Sequence, residues 1–186
     1  VVCEGFGVDP DYARQLLATA SVTGRFETVV SPALPGVTFV IDYAHNGVSL
    51  TSILDTLKEY RPKRLICLFG SVGGRTRERR RDLAEAAAYR ADLCVLTADN
   101  PADEPVMDII REIDSHLPPD GCPRIHEPDR ETAIRMLVEQ AQAGDIILLA
   151  GKGHEPYQLI GTRRVAFSER KILEEALRER ALAGIV

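Results

Sequence analysis

The chain has 186 residues, of which 45% are hydrophobic and 27% charged, and its formal net charge is −5. This length and apolar fraction suit one globular domain and exclude a disordered chain. The mild acidity attracts neither nucleic acid nor an anionic membrane surface, and no run approaches the roughly 20 apolar residues of a membrane span. We therefore expect a soluble, cytoplasmic protein with no nucleic-acid or membrane partner.

Apolar runs that suit buried strands alternate with helical segments along the chain. In chain order, the predicted elements are a helix at about 9–20, strand 38–43, helix 48–60, strand 64–69, helix 76–90, strand 93–97, helix 105–116, strand 124–126, helix 129–143, strand 145–150, two short strand-like pieces at 157–160 and 164–167, and a last helix capped by Ser168. This alternation predicts an α/β fold with a mostly parallel sheet and helices on both of its faces.

The cysteines do not have the spacing of a metal site. They lack a CxxC pair and a nearby histidine, so we expect reduced core thiols and no metal site at Cys3, Cys67, Cys94 and Cys122. The chain begins at Val1 and not at Met, which we interpret as a sign of a piece of a longer protein.

Polar or glycine-rich clusters follow four of the predicted strands. These clusters are Asp42–Asn46, Gly70–Arg75, Asp99–Ala102 and Gly151–Glu155. Each one alone fits a turn, because glycine, asparagine, aspartate and proline are the usual turn residues. Ligands of parallel sheets bind beyond the carboxyl ends of the strands, so four clusters on one edge indicate a binding site.

The first two clusters each have two interpretations. Asp42 and His45 are either a helix cap and a loop imidazole, or contacts to a ribose hydroxyl and a base. Gly70–Arg75 lacks the order GxxxxGKS or GxxxxGKT of a phosphate loop, although its backbone amides suit an anion at a helix N-terminus. The arginines that follow are a solvated face, or Arg75 clamps a carboxylate or phosphate.

The other clusters also leave two interpretations open. Asp99 and Asn100 either form a turn or face a cationic or amino-acid ligand. Gly151–Glu155 is the least turn-like cluster, because it places a cation, an imidazole and a carboxylate directly after a buried strand. Glu155 suits a substrate ammonium. Arg25, ahead of the first predicted strand, belongs either to a surface ion pair or to a phosphate contact.

Five motifs together resemble the carboxyl-terminal part of the Mur ligases: GRFE at 24–27, DYAHN at 42–46, FGSVGGR at 69–75, DNPA at 99–102 and GKGHE at 151–155. Their order and spacing are similar to the members that add the third residue of the peptidoglycan stem peptide. The resemblance implies a Rossmann-like domain at 24–186, preceded at 1–23 by the end of a central ATPase domain or a linker helix. It also implies that the catalytic groups and the Mg²⁺ ligands lie upstream, so that this chain alone is inactive.

The resemblance implies two sets of binding residues. For ATP these are Arg25, Asp42, His45 and Asn46; for the amino-acid substrate they are Arg75, Asp99, Asn100, Ala102, Gly151 and Glu155. The implied full-length enzyme uses ATP and Mg²⁺ to phosphorylate the D-glutamate carboxylate of UDP-MurNAc-L-Ala-D-Glu. An amine of a diamino acid then attacks the acyl phosphate.

Ala102 bears on which diamino acid is used. Members of this family that use meso-diaminopimelate usually read DNPR, in which the arginine grips the distal carboxylate. Burying that carboxylate unpaired costs roughly 1–3 kcal/mol, so we expect L-lysine, unless Arg77 or another arginine substitutes. The alternatives are a meso-diaminopimelate-adding enzyme, another Mur or polyglutamate-type ligase, and a non-catalytic nucleotide or amino-acid binding module.

Overall fold

A computed structural model of the chain describes residues 7, 9–12, 15, 22–74 and 77–184. Its six-stranded sheet has the order β1-β2-β6-β3-β4-β5. The strands are β1 (Glu27–Val29), β2 (Thr38–Asp42), β3 (Arg64–Phe69), β4 (Leu93–Leu96), β5 (Arg124–His126) and β6 (Asp145–Ala150). All neighbouring strands are parallel except β1, which pairs antiparallel with β2. The predicted mostly parallel α/β sheet is thus confirmed.

Helices cover both faces of this sheet. They are α1 (Gly47–Glu59), α2 (Glu78–Ala88), α3 (Val106–Ser115), α4 (Arg130–Gln140) and α5 (Glu169–Ala183). The apolar residues of α1, α2 and α3 share one buried cluster with Val40, whereas those of α4 and α5 pack with its strand neighbours Phe39 and Ile41. Alternate residues of β2 therefore face different helix layers, which explains why the strand is apolar on both sides.

A separate antiparallel hairpin follows the main sheet. It consists of β7 (Tyr157–Ile160) and β8 (Arg163–Ala166). The second strand begins and ends one residue earlier than the predicted piece at 164–167. The hairpin is tied to the loop after β4, because the N–H of Ala102 donates to the carbonyl of Leu159 over 3.0 Å and the N–H of Gly161 donates to the carbonyl of Ala102 over 2.8 Å.

Side-chain caps begin three of the helices, and the sequence predicts two of these caps, Asp129 and Ser168. The carboxamide oxygen of Asn46 accepts the N–H of Ser49 at the start of α1, at 2.9 Å. Asp129 caps α4 by accepting the N–H of Thr132, and Ser168 caps α5. These bonds satisfy amide groups that the first turn of a helix leaves unpaired. The predicted helix at 9–20 falls mostly outside the described residues.

The thiols that the structure describes are free and buried, as predicted; they are Cys67, Cys94 and Cys122. Cys3 lies outside the described residues. No helix in the described part of the chain combines the length and apolarity required to cross a bilayer.

Candidate functional site

The loops after β2, β3, β4 and β6 meet at one edge of the sheet. The N–H of Gly151, which follows β6, donates to the carbonyl of Asp42 at the end of β2, at 3.0 Å. The N–H of Gly73 donates to the carbonyl of Asn100 over 2.9 Å and so joins the loops after β3 and β4. The four clusters that the sequence places after strands therefore form one continuous surface.

Two glycines are required for this assembly. A Cβ atom on Gly24, whose φ is +70°, would lie 2.1 Å from the backbone nitrogen of His154. A Cβ atom on Gly73 would lie 1.8 Å from the carbonyl oxygen of Pro101. Any side chain at these positions would push the loops apart, which gives a physical reason for glycine in the first and third motifs.

A cavity of about 410 Å³ opens between these loops and the hairpin. We call it the strand-end cavity; its lining residues include six of the predicted site residues, namely His45, Asp99, Asn100, Ala102, Gly151 and Glu155. Arg75 lies outside the described residues. Five of these six belong to the predicted amino-acid set, and the structure brings these five together in space.

A buried lysine organises the floor of the strand-end cavity. The side chain of Lys152 is 0% exposed, and its Nζ donates to Asn100 Oδ1 at 2.9 Å and to Glu155 Oε2 at 2.7 Å. Asn100 Nδ2 also donates to Glu155 Oε2, at 3.0 Å. The sequence marks Lys152 only as a member of a motif; its position directly after an apolar strand was the signal that it is buried.

The two carboxylates of the floor differ in their hydrogen bonds. Glu155 accepts bonds from Lys152 and Asn100, and Tyr43 Oη donates to its other oxygen at 3.3 Å. Asp99 is 4% exposed, and its Oδ1 lies 3.8 Å from Lys152 Nζ without a hydrogen-bond partner. Asp99 Oδ1 is thus a buried carboxylate oxygen whose capacity to accept a hydrogen bond is unmet.

The pKa values of these groups shift in opposite directions. Burial raises the pKa of Asp99 above its ordinary value, and the nearby charges of Arg130 and Lys152 do not cancel this effect. Burial also acts to raise the pKa of Glu155, but the bonds from Lys152 and Asn100 outweigh it and hold that pKa below its usual range. Glu155 is thus the carboxylate that stays ionised most readily.

Cations and an aromatic ring form the wall of the strand-end cavity. Arg79 of α2 and Arg164 of β8 both line it, together with Tyr157. The guanidinium carbon of Arg164 lies 4.6 Å from the centre of the Tyr157 ring, within the range of a cation–π contact. An acidic floor and a cationic wall suit a ligand with an ammonium group and a carboxylate.

A second cavity lies beside β1. It has a volume of about 590 Å³, and we call it the β1 cavity; its lining residues include Arg25, Asp42 and Arg170. The carboxylate of Asp42 accepts the N–H groups of Phe26 and Ala44, each at 2.7 Å. Asp42 therefore holds the GRFE segment against β2 and also lines the β1 cavity.

The predicted ATP set is divided between different places. Arg25 and Asp42 line the β1 cavity, whereas His45 lines the strand-end cavity with the amino-acid set. Asn46 lines neither of these cavities, because its side chain is used as the cap of α1. The DYAHN motif thus combines a strand-end carboxylate, a cavity imidazole and a helix cap within five residues.

A fully buried ion pair supports the strand ends from below. Arg130 Nε and Nη2 donate to Glu169 Oε1 at 3.0 and 2.8 Å, and both side chains are 0% exposed. Arg130 also donates to the carbonyls of Ala98 and Ala150, which directly precede Asp99 and Gly151. The sequence did not reveal this pair, because an arginine in the first turn of a polar helix usually reaches solvent.

The basic residues at the start of α2 do not form a single solvent-exposed cationic face. Arg80 is buried, with Nη2 2.6 Å from Glu104 Oε2 and Nη1 2.5 Å from Glu112 Oε2. Arg77 is exposed and pairs with Glu112.

Among the described residues, no three His, Cys, Asp or Glu side chains are arranged to hold a metal ion.

Comparisons with known proteins identify a family, relatives and solved structures that are similar to this chain. A profile of the Mur ligase glutamate ligase domain matches residues 24–153. A UDP-N-acetylmuramoyl-L-alanyl-D-glutamate--2,6-diaminopimelate ligase from Caldanaerobacter subterraneus subsp. tengcongensis is 40% identical over 180 residues, which are 96% of this chain and 36% of the relative. A solved structure of a ligase with this name has a TM-score of 0.80 at 32% identity and is likewise matched over 36% of its length, by 96% of this chain.

The fold extends to more distant ligases. A MurF ligase from Thermotoga maritima, solved in complex with ADP, has a TM-score of 0.59 at 17% identity over 98% of this chain and 36% of its own. The profile match over residues 24–153 shows that the chain belongs to the Mur ligase family. It spans about a third of the length of the curated relatives it matches.

The names of these relatives bear on the expected amino acid. The Caldanaerobacter relative and the solved structure are both named for 2,6-diaminopimelate. The expectation of L-lysine, drawn from Ala102, therefore receives no support from them, whereas the alternative of a diaminopimelate-adding enzyme does.

Proposed function

We propose that this chain is the amino-acid-binding and nucleotide-binding part of an ATP-dependent ligase. The whole protein would join a diamino acid to UDP-MurNAc-L-Ala-D-Glu and form the tripeptide precursor of peptidoglycan. The strand-end cavity carries this proposal, because its acidic floor and cationic wall complement a free amino acid. The names of the relatives support the identity of the two substrates.

The floor of the strand-end cavity would hold an ammonium group of the amino acid. Glu155 stays ionised, and Asp99 has an unpaired carboxylate oxygen close by. Lys152 already neutralises part of this charge, so the second carboxylate is needed to leave the floor net negative. The amino group that attacks must be neutral and lie free of these contacts, so the floor would orient the amino acid and leave the reaction to its other amine.

The wall favours diaminopimelate over lysine. Diaminopimelate carries one carboxylate more than lysine, and two arginines of the cavity, Arg79 and Arg164, have no acidic partner among the described residues. Arg75 would add a third cation to this set. We therefore propose diaminopimelate as the substrate, although Ala102 itself offers no charge.

The β1 cavity would hold part of the ATP. Arg25 suits a phosphate and Asp42 suits a ribose hydroxyl, while His45 and Asn46 belong to the same proposed set through their motif. ATP and Mg²⁺ supply the activation of the D-glutamate carboxylate as an acyl phosphate. This chain would bind and orient the reactants, and the catalytic groups would come from the preceding domain.

The proposed domain boundary lies near residue 23. Residues 1–23 would be the end of the central ATPase domain or a linker helix, and residues 24–186 the carboxyl-terminal domain. The first strand of the sheet begins shortly after this boundary, at Glu27. Closure of this domain over the central domain would bring the amino acid to the acyl phosphate and exclude water from it.

A ligation assay with the full-length protein tests the proposal. The enzyme is given ATP, Mg²⁺, UDP-MurNAc-L-Ala-D-Glu and an equimolar mixture of meso-diaminopimelate and L-lysine, and the tripeptide products are separated by mass. We expect ATP-dependent product that contains mainly diaminopimelate. A control with UDP-MurNAc-L-Ala lacks the carboxylate that is activated and should give no product.

Other outcomes of this assay have distinct meanings. Product with lysine alone would keep the ligase and refute the choice of amino acid. Ligation of a different acceptor, such as a polyglutamate, would move the chain to another branch of the family. Absence of ligation with every acceptor would leave a non-catalytic binding module.

A further inference from the structure

Arg164 is the arginine of the strand-end cavity whose position is fixed most clearly. It lies on β8, and its guanidinium stacks on the ring of Tyr157 at 4.6 Å. Its side chain forms no ion pair or hydrogen bond with a described residue. A guanidinium that is held by stacking keeps all of its N–H groups available, because the ring contact uses only its face.

Ala102 and Arg164 lie on either side of β7 and line the same cavity. In the register of β7 and β8, Arg164 stands opposite Leu159. The carbonyl of Leu159 accepts the N–H of Ala102 at 3.0 Å, and Ala102 also forms a parallel bridge with Ile160. The hairpin is thus fastened to the segment where the methyl group of Ala102 leaves one part of the cavity lining without a charge or a hydrogen-bonding side chain.

Arg79, the other described arginine of the cavity, lacks such a fixed position. It lies in the first turn of α2 and makes no hydrogen bond, ion pair or ring contact with a described residue. The side chain of Lys152 is fully buried, and two of its three N–H groups already donate to Asn100 and Glu155. Among the described arginines of the cavity, Arg164 is therefore the one held in place to pair with a ligand carboxylate.

We infer that Arg164 binds the side-chain carboxylate of diaminopimelate and is the residue that selects this amino acid over lysine. This inference rests on the proposed function. Lysine is diaminopimelate without that carboxylate, so it gains nothing from Arg164. A guanidinium pairs with a carboxylate through two parallel N–H···O bonds, which makes the discrimination directional as well as electrostatic.

The test compares single substitutions in the full-length enzyme with both amino acids. Arg164→Ala should lower kcat/KM for meso-diaminopimelate by about 10–100-fold, mainly through KM, and change kcat/KM for L-lysine by no more than about 2-fold. Arg164→Lys keeps the charge and loses the fork, so it should restore part of the loss.

Arg163→Ala is the matched control. Arg163 precedes Arg164 on β8, is exposed, and does not line the cavity. It should leave both kcat/KM values unchanged. Activity with lysine reports that each variant is folded, so a selective loss with diaminopimelate cannot come from misfolding.

The inference and the proposed function fail in different ways. A wild-type enzyme that ligates neither amino acid refutes the proposed function. A wild-type enzyme that ligates diaminopimelate while Arg164→Ala behaves like Arg163→Ala overturns only the role of Arg164. An equal loss with both amino acids, a selective loss in Arg79→Ala alone, or a wild-type preference for lysine also overturns it.

Discussion

Asp99 is held in a position that costs folding free energy. Its carboxylate is almost fully buried, one oxygen has no hydrogen-bond partner, and Lys152 is beyond hydrogen-bond distance at 3.8 Å. A buried charge with incomplete pairing destabilises the native state. The raised pKa of Asp99 expresses the same cost, because the folded protein favours the neutral acid.

Replacement of Asp99 by asparagine should therefore stabilise the chain and weaken its site. The free-energy penalty of burying the ionised Asp99 is absent below its ordinary pKa of 3.8. It grows as the pH rises from 3.8 to the raised pKa of the folded state, and it is constant above that pKa. We expect Asp99→Asn to raise Tm at pH 7 by about 2–4 °C for each kcal/mol gained, and to give no gain near pH 3. Thermal melts of the two chains at both pH values measure this difference.

The same substitution should reduce function in the full-length enzyme. KM for the amino acid is expected to rise by about 10-fold or more, because an amide replaces one charge of the ammonium site. A variant that is both less stable at pH 7 and fully active would contradict this account of Asp99.

At the scale of elements, one ion pair joins three parts of the fold. Arg130 begins α4 and Glu169 begins α5, and Arg130 also holds the backbone at the ends of β4 and β6. The site-bearing loops start at the next residues, Asp99 and Gly151. The position of these loops therefore depends on a contact that is made beneath the cavity and not within it.

Removal of one partner of this pair should be far more damaging than removal of an exposed pair. Arg130→Met leaves Glu169 buried without a cation, at a cost of about 3–5 kcal/mol. The double variant Arg130→Met with Glu169→Met should be less destabilised than Arg130→Met alone, because no charge then stays buried. Arg135→Met, in the same helix, should cost about 1 kcal/mol or less.

Urea unfolding of the four chains measures these free energies. A double variant less stable than Arg130→Met would show that Glu169 stabilises the fold even without Arg130, and it would contradict the cost assigned to an unpaired buried charge.

The elements themselves were largely predictable, and the reasons are physical. Continuous apolar runs such as 64–69 and 145–150 fit only strands that are buried on both faces, and caps such as Asp129 mark helix starts. β1 was missed, because its three residues form an edge with no continuous apolar run. Arg130 and Lys152 were missed as buried groups, because Glu169 and Asn100, with which they pair, lie far away in the sequence and only the tertiary fold brings them together.

At the scale of the whole molecule, two cavities share one wall. Tyr43 lines the strand-end cavity, and the guanidinium of Arg25, which lines the β1 cavity, lies 5.3 Å from the centre of its ring. The sequence predicted both residue sets from the family resemblance, but it grouped His45 with the nucleotide, and the structure places it beside the amino-acid set.

The two cavities should respond separately to substitution in the full-length enzyme. Arg25→Ala is expected to raise KM for ATP by about 10-fold or more and to leave KM for the amino acid near its wild-type value. Glu155→Gln should have the opposite pattern, because it changes the floor of the strand-end cavity. Steady-state kinetics with each substrate varied in turn will show whether the effects are separate; a Glu155→Gln variant altered only in KM for ATP would refute the assignment.

The hairpin of β7 and β8 lies outside both hydrophobic clusters of the core. Its sequence is therefore weakly constrained by the folding of the main sheet, although it forms one wall of the strand-end cavity. We therefore expect substitutions between 157 and 166 to change the lining of the strand-end cavity at little cost in the folding free energy of the main sheet.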